Sequence, residues 1–128
     1  MSNTVFVPPA VADKRRFQSA IAAIDAVNEA DPRRIDTPQG PRPFELHYAR
    51  RLTHWTSKLA PQASEALALA ARGQHVARWE IPRDQYPDGL KGYTEWRETL
   101  KQFHAGKLEV ILRKGGYDDA LIGQVKAL

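Results

Sequence analysis

The spacing of apolar residues along the chain predicts helices. Asp13 can cap a helix N-terminus, and the residues after it place apolar side chains three or four positions apart. These are Phe17, Ala20, Ile21, Ile24 and Val27. Pro43 suits a first helical position, and a second apolar stripe follows it. Its members are Phe44, Tyr48, Leu52, Trp55 and Leu59. We expect both stripes to face a common core.

The second half of the chain predicts three more helices. Pro61 opens a third helix, in which alanine and leucine lie almost all the way round, and we expect it to end at Trp79-Glu80. A fourth helix ends at Gly115-Gly116, and Asp118 starts a fifth. The apolar face of the fourth helix consists of Tyr93, Trp96, Leu100, Phe103, Val110 and Ile111.

Two segments have compositions that exclude regular helix. The segment 31–43 contains four prolines and one glycine and cannot be regular helix. The segment 80–92 contains two prolines and two glycines, and we expect it to be a loop. No stretch alternates apolar and polar residues as a half-buried strand does. The predicted fold class is therefore an all-α bundle of about five helices. Residues 1–12 would form a flexible tail and residues 13–128 a single helical domain.

Composition narrows the class of partner. The 128 residues are 42% hydrophobic, which suits one core, and the net charge of +4 comes without a basic block, so nucleic acid stays open but is not favoured. No cysteine is present, so a metal would need His, Asp or Glu ligands. With no signal-like start and no long apolar run, we expect a cytoplasmic protein without a membrane partner.

Two polar residues interrupt the third helix, and two histidines on other helices lie inside or beside apolar stripes. At 100° per residue Gln74 falls on the arc of the apolar residues before it, and His75 lies beside that arc, so we expect both to be largely buried. His104 lies inside the apolar arc of the fourth helix, and His47 borders the stripe of the second. A buried imidazole needs a hydrogen-bond partner or a metal.

Three histidines from three helices are candidates for one divalent metal ion. His47, His75 and His104 offer neutral imidazoles, which suit Zn, Fe or Mn. Their spacing forms no compact metal motif, so the alternative is that each ring is an ordinary core residue with its own hydrogen bond.

Four arginines are candidates for binding a small anionic molecule. Arg50, Arg51, Arg78 and Arg83 could hold a phosphate or carboxylate through paired hydrogen bonds, or form a solvated rim of surface ion pairs. Glu80 is a candidate base, but an acid at a helix end beside two arginines also has a structural explanation.

Two stretches resemble a known family. QHVARWEIPRDQYPDGLKGYTEWRETLKQFHAGKLEVILRKGGYDD, which includes WEIPR and FHA, and FQSAIAAIDAVNEADP near the start resemble family 4202 of the domains of unknown function, found in bacteria and fungi. The similarity runs from Arg16 over nearly the whole chain. Members typically continue for several more helices, and the fifth helical pattern breaks off at Leu128. The resemblance thus implies a chain that lacks C-terminal helices and can self-associate through the face left open.

More distantly, the pattern is similar to the HD superfamily of helical metal-dependent phosphohydrolases. This resemblance puts His47 at the first histidine position, Gln74 and His75 at the His-Asp dyad, and His104 at an additional histidine that some members carry. The dyad here is Gln-His, and the late aspartate would fall beyond Leu128. A single His-ligated metal, a metal-free pocket and a degenerate site therefore stay open.

Two functions from different classes follow. The first is an HD-like hydrolase with a metal on His47, His75 and His104, and with Glu80 and Gln74 at the catalytic positions. The second is a non-catalytic helical binding or scaffold module whose arginine-rich rim contacts an anionic partner or RNA.

Overall fold

A computed structural model describes residues 5–128 and gives a mostly helical chain with one small sheet. The α-helices are α1 (Lys14–Asn28), α2 (Phe44–Leu59), α3 (Glu65–Arg72), α4 (Leu90–Lys114) and α5 (Asp119–Ala127). The strands are β1 (Arg34–Thr37) and β2 (Gly40–Pro43), and short 3₁₀ helices span Arg78–Glu80 and Arg83–Gln85. No helix among residues 5–128 combines the length and the hydropathy that crossing a membrane requires.

The core lies between α1, α3, α4 and α5. Its most completely buried side chains include Phe17, Ile24, Leu69 and Leu112. The predicted starts of α1 and α5 are confirmed, because the carboxylates of Asp13 and Asp118 each accept a hydrogen bond from a backbone N–H three residues later. After the C-terminus of α4, Gly116 takes the positive φ of 91° that the predicted glycine stop requires.

The segment expected to be a flexible tail contacts this core where the structure describes it. Val5 and Val7 pack against the core partly buried, and Pro8 and Val11 are buried. Residues 1–4 lie outside the described part of the chain.

The chain is mostly helical, and residues 31–43 avoid helix as predicted, but they form a two-stranded sheet that an all-α bundle does not include. β1 and β2 pair antiparallel from Arg34↔Pro43 to Thr37↔Gly40. Prolines are tolerated because both strands of a two-stranded ribbon are edge strands, and Gly40 supplies a φ of 100° at the turn. Burial alternates along these strands, but β1 contains only one apolar residue, Ile35, and β2 consists of glycine, prolines and an arginine, so hydrophobicity gives no alternating signal.

The predicted core stripe of α2 is also wrong. Trp55 is 50% exposed and Leu59 80% exposed, whereas Leu46 and Ala49 are buried. The inner face continues through Thr53 and Thr56, which line a small cavity with Phe17 and Ile21 of α1 and Ala68 and Ala71 of α3. Thr56 can face inward because its hydroxyl donates to the carbonyl of Leu52 in its own helix. Because threonine does not count as a hydrophobic residue, the hydrophobic pattern of the sequence does not reveal the core face of α2.

Helix α3 is shorter than predicted. It begins after Ser64, whose hydroxyl accepts from Leu67 N–H, rather than at Pro61. It ends at Gly73, where a Cβ would lie 2.2 Å from a methyl carbon of Leu108 on α4. The chain leaves the helix there, so Gln74 is exposed and the prediction of its burial is wrong.

Candidate active site around Glu45 and His75

A buried carboxylate stands in the first turn of α2. The Glu45 side chain is 0% exposed, and its backbone N–H donates to Asp31 Oδ2 over 2.9 Å. Asp31 thereby caps a helix that begins after Pro43, which offers no side-chain cap. The guanidinium of Arg33 donates to both oxygens of Asp31 and to Glu45 Oε2. Glu45 is thus fixed by contacts from the segment that precedes the hairpin.

Hydrogen bonds determine the charge states of Asp31 and Arg33, the two residues that hold Glu45. Burial raises the pKa of Asp31, but hydrogen bonds from the side chain and backbone of Arg33 and from Glu45 N–H outweigh it and lower the pKa below its ordinary value. Burial likewise works against the charge of Arg33, yet its bonds to Asp31 and Glu45 raise its pKa. Both residues are therefore charged at neutral pH.

His75 meets Glu45 through one ring nitrogen. Its Nδ1 lies 3.5 Å from Glu45 Oε1 and 3.3 Å from Arg78 Nη1. The ring stacks on Tyr48 with centroids 4.3 Å apart and an interplanar angle of 11°. The side chain keeps 15% of its surface exposed. His75 is therefore held in place and still reachable from solvent.

The two partners of this nitrogen require opposite roles. Arg78 can only donate, so Nδ1 must be an acceptor towards it, whereas the carboxylate of Glu45 can only accept. Glu45 Oε1 has no hydrogen-bond partner in the structure. Protonation of His75 at Nδ1 would give Glu45 a donor and break the bond with Arg78. The state of His75 is thus coupled to both neighbours.

A second imidazole lies beside the first. The ring centroid of His104 on α4 is 5.9 Å from that of His75. His104 Nδ1 lies 2.9 Å from the carbonyl of Val76, which can only accept, so Nδ1 carries the hydrogen. Burial lowers the pKa of His104 to about 4; the Val76 hydrogen bond opposes this shift, and His75 adds to it. At neutral pH the buried Nε2, which has no partner, is therefore an acceptor.

The third predicted histidine ligand has a different setting. His47 on α2 is half-buried, and burial and the guanidinium groups of Arg51 and Arg50 lower its pKa. Within residues 5–128, no three His, Asp or Glu side chains form a group that could hold a metal ion as they stand. The structure thus places the rings of His75 and His104 side by side.

The two predicted catalytic positions other than histidine lie at the surface. Gln74 is exposed, although it directly precedes His75. The Glu80 side chain is 46% exposed, and its Oε2 lies 3.5 Å from the ammonium group of Lys107. Both are thus more open to solvent than His75.

The predicted anion-binding arginines separate into different settings. Arg78 contacts His75 and lies 5.0 Å above the ring of Trp96. Arg83 donates to the carbonyls of Tyr86, Pro87 and Gly89, so its guanidinium holds its own loop together. Arg50 is half-buried and Arg51 exposed, both beside His47. Among the four, Arg78 is the one in contact with the imidazole pair.

The carboxylate side of the cluster was not predicted from the sequence. Asp31, Arg33 and Glu45 carried no predicted role in the site, and Tyr48 was expected only as a member of the α2 core stripe. The available signal was Asp-x-Arg ahead of a helix that starts at proline, because such a helix needs a cap from elsewhere in the chain. What remains is a carboxylate–imidazole pair with a guanidinium alongside, a set that can transfer protons and hold an anion.

Comparison with known proteins gives one match. The family described as a domain of unknown function (DUF4202) matches residues 18–128. Neither the curated proteins nor the solved structures contain a match to the chain.

Proposed function

The chain belongs to this family of unknown function, and we propose that it is an enzyme that transfers a proton to or from a small anionic substrate. His75 is the general acid or base. The observation that carries the proposal is the approach of His75 Nδ1 to within 3.5 Å of a fully buried Glu45 oxygen that has no other partner. Buried polar groups in a purely structural cluster are normally paired.

Glu45 orients the imidazole of His75. The carboxylate is locked by Arg33 and by the first turn of α2, so it can stabilise a protonated His75 without moving. Because Nδ1 carries both protein contacts, Nε2 is the nitrogen that exchanges a proton with the substrate.

The charges favour an anionic substrate. Asp31 and Glu45 contribute two negative charges, and Arg33 and Arg78 two positive ones, so the fixed charges of the cluster cancel. Protonation of His75 then makes the cluster positive. Arg78, already beside the ring, is the group that contacts the anion.

A metal-dependent hydrolase of the HD type is the second candidate function. The observation that favours it is the pair of buried acceptors without donors, Glu45 Oε1 and His104 Nε2. With His75 they make a set of two histidines and one carboxylate, which suits Zn, Fe or Mn. Glu45 would take the place predicted for His47, and the side chains would have to rotate to form the site.

The test is hydrolysis of a panel of small phosphate and carboxylate esters by the purified chain. We expect His75→Gln to lower the rate at least 100-fold, as loss of a general acid or base does, and Arg78→Gln to raise KM more than it lowers kcat. Arg113→Gln, which removes an exposed arginine paired with Asp119 and Glu109, is the matched control. No turnover, together with no binding of inorganic phosphate by NMR, would overturn the enzyme proposal.

Metal analysis separates the two candidates. A stoichiometric divalent metal that is lost in both Glu45→Gln and His104→Asn supports the hydrolase of the HD type. Activity that survives chelation supports the metal-free proton-transfer site. RNA binding that weakens steeply with salt, without turnover, would instead support the non-catalytic module with an arginine-rich rim.

A further inference from the structure

The turn that carries His75 and Arg78 contains a strained residue. Ala77 has φ 57° and ψ 26°, and no other non-glycine residue among 5–128 has a positive φ. The left-handed region costs an L-residue free energy because its Cβ crowds the neighbouring carbonyl. Ala77 is buried, so surrounding contacts must hold it there.

Side chains from two helices hold this turn. The N–H of Ala77 donates to Asn28 Oδ1 over 3.1 Å, and Asn28 is itself buried at the end of α1. One residue earlier, the carbonyl of Val76 accepts from His104 on α4. Within the turn, Arg78 N–H donates to the carbonyl of His75. The conformation of Ala77 is therefore fixed from outside.

The reversal at Ala77 decides where the two functional side chains meet. His75 lies two residues before it and Arg78 one residue after it. With Ala77 left-handed, the chain turns back enough for Arg78 Nη1 to reach 3.3 Å from His75 Nδ1. A residue with an extended φ would carry Arg78 away from the imidazole.

We propose that Asn28 is a positioning residue for the His75–Arg78 pair. It acts through the backbone of Ala77 and has no hydrogen bond to either side chain in the structure. The inference rests on the proposed function for its catalytic consequence. The positional part concerns the imidazole alone and can be measured separately.

The experiment follows the ring signals of His75 by ¹H–¹⁵N NMR and the binding of inorganic phosphate in the full chain. Asn28→Leu removes the oxygen that accepts from Ala77 N–H and keeps a side chain of similar volume. We expect the His75 ring signals to shift. We also expect phosphate affinity to fall about tenfold, which corresponds to the free energy of about one hydrogen bond. Asn28→Asp keeps an acceptor oxygen, and we expect it to restore the signals and most of the affinity.

Asp25→Asn is the matched control. Asp25 lies one turn earlier on α1 and pairs with the buried Arg72, so the variant loses stability without touching the turn. If Asp25→Asn shifts the His75 signals as much as Asn28→Leu, the role is merely structural and the proposal is overturned. Unchanged His75 signals in Asn28→Leu overturn it too.

A glycine background keeps the test valid should Asn28→Leu not fold. Ala77→Gly adopts the left-handed conformation without strain, so we expect it to keep the wild-type signals. Adding Asn28→Leu to this variant removes the hydrogen bond that fixes the turn, and we expect the His75 ring signals to move. If the signals do not move, the inference fails. Should phosphate not bind the wild type while the ring signals respond as described, the positional role stands and the proposed function falls.

Discussion

Two buried regions of this chain differ in how completely their atoms are paired. Around Phe17, Ile24 and Leu112 the side chains are apolar, so they need close packing but no hydrogen-bond partners when buried. Around Glu45 and His104 the side chains are also buried, yet each has one polar atom without a partner. Burial alone does not mark a site, because both regions have it. Unpaired buried atoms alone do not mark one either, since Thr53 and Arg16 each have one outside the polar cluster. The second region differs because its unpaired atoms belong to a carboxylate and an imidazole that both lie close to His75.

The difference also predicts how each region responds to change. Apolar packing loses stability whenever volume is removed, and function is affected only through folding. A strained polar cluster contributes less to stability than apolar packing does. Substitutions there can therefore remove activity while the free energy of unfolding changes little. Each of the following variants tests one side of this division, from the largest effect to the smallest.

Truncating the apolar region has the largest effect. Leu69→Ala removes a fully buried side chain from α3, and we expect a loss of about 2–5 kcal/mol in the free energy of unfolding. Urea denaturation measures it. The His75 ring signals of the folded fraction are expected to stay unchanged. A shift in those signals would show that the two regions are coupled.

Acid has the next largest effect, and it acts through His104. Its pKa of about 4 in the folded state lies below the value of 6.5 for an unperturbed histidine. Between these values the unfolded chain binds more protons, so stability falls as the pH is lowered through that window. The difference between the two pKa values corresponds to roughly 3 kcal/mol of unfolding free energy.

The comparison variant is His104→Asn, whose amide can still donate to the carbonyl of Val76. We expect its unfolding free energy, measured in urea from pH 7 to pH 4, to fall less steeply than that of the wild type. Asp31 and His47 titrate in both proteins, so only the difference between the curves reports on His104. Parallel curves would contradict the assignment.

Neutralising the buried carboxylate affects chemistry more than stability. Glu45→Gln keeps the shape of the side chain and a possible bond with Arg33, so we expect a change of no more than about 2 kcal/mol in unfolding free energy. The rate of proton transfer should fall about 100-fold or more. Thermal unfolding and steady-state kinetics measure the two quantities. Full activity in this variant would remove Glu45 from the site.

The smallest effect is a gain. Thr53 on α2 has a buried hydroxyl without a partner, outside the polar cluster. Thr53→Val has the same shape without the hydroxyl, so we expect stability to rise by about 1 kcal/mol and activity to stay unchanged. Thr56→Val is the control, since its hydroxyl is already bonded to Leu52 and its loss gives no such gain. A stability loss in Thr53→Val would mean that the hydroxyl has a partner in solution.

Sequence predicted most where local chemistry decides structure. Asp13, Asp118 and the glycine pair after α4 fix helix ends through side-chain caps and backbone freedom, which need no knowledge of tertiary packing. It failed where neighbours decide: the inner face of α2 is set by what packs against it, and α3 ends where Leu108 meets Gly73. Hydrophobicity counts do not contain either contact.

The candidate site was predictable in part for the same reason. A histidine in the apolar arc of α4 was visible from spacing, and His104 is indeed buried. His75 is half-buried although its predicted helix ends early, and it contacts Tyr48 and Glu45 of α2. The role of Glu45 was hidden, since its partners come from Asp31 and Arg33, on the far side of a hairpin that the sequence did not predict.

The β-ribbon between Arg33 and Phe44 has a practical consequence for engineering. The open end of the ribbon lies next to Arg33 and to the start of α2, which fix Glu45. Its tip at Thr37–Gly40 is separated from that end by the four paired positions of the two strands. A matched deletion of Asp36 and Pro41 would shorten the arm and leave both anchor points in register. Removing only one of them would shift the register of the two strands by one residue. The tip is therefore a natural attachment point for a fluorophore or an affinity epitope.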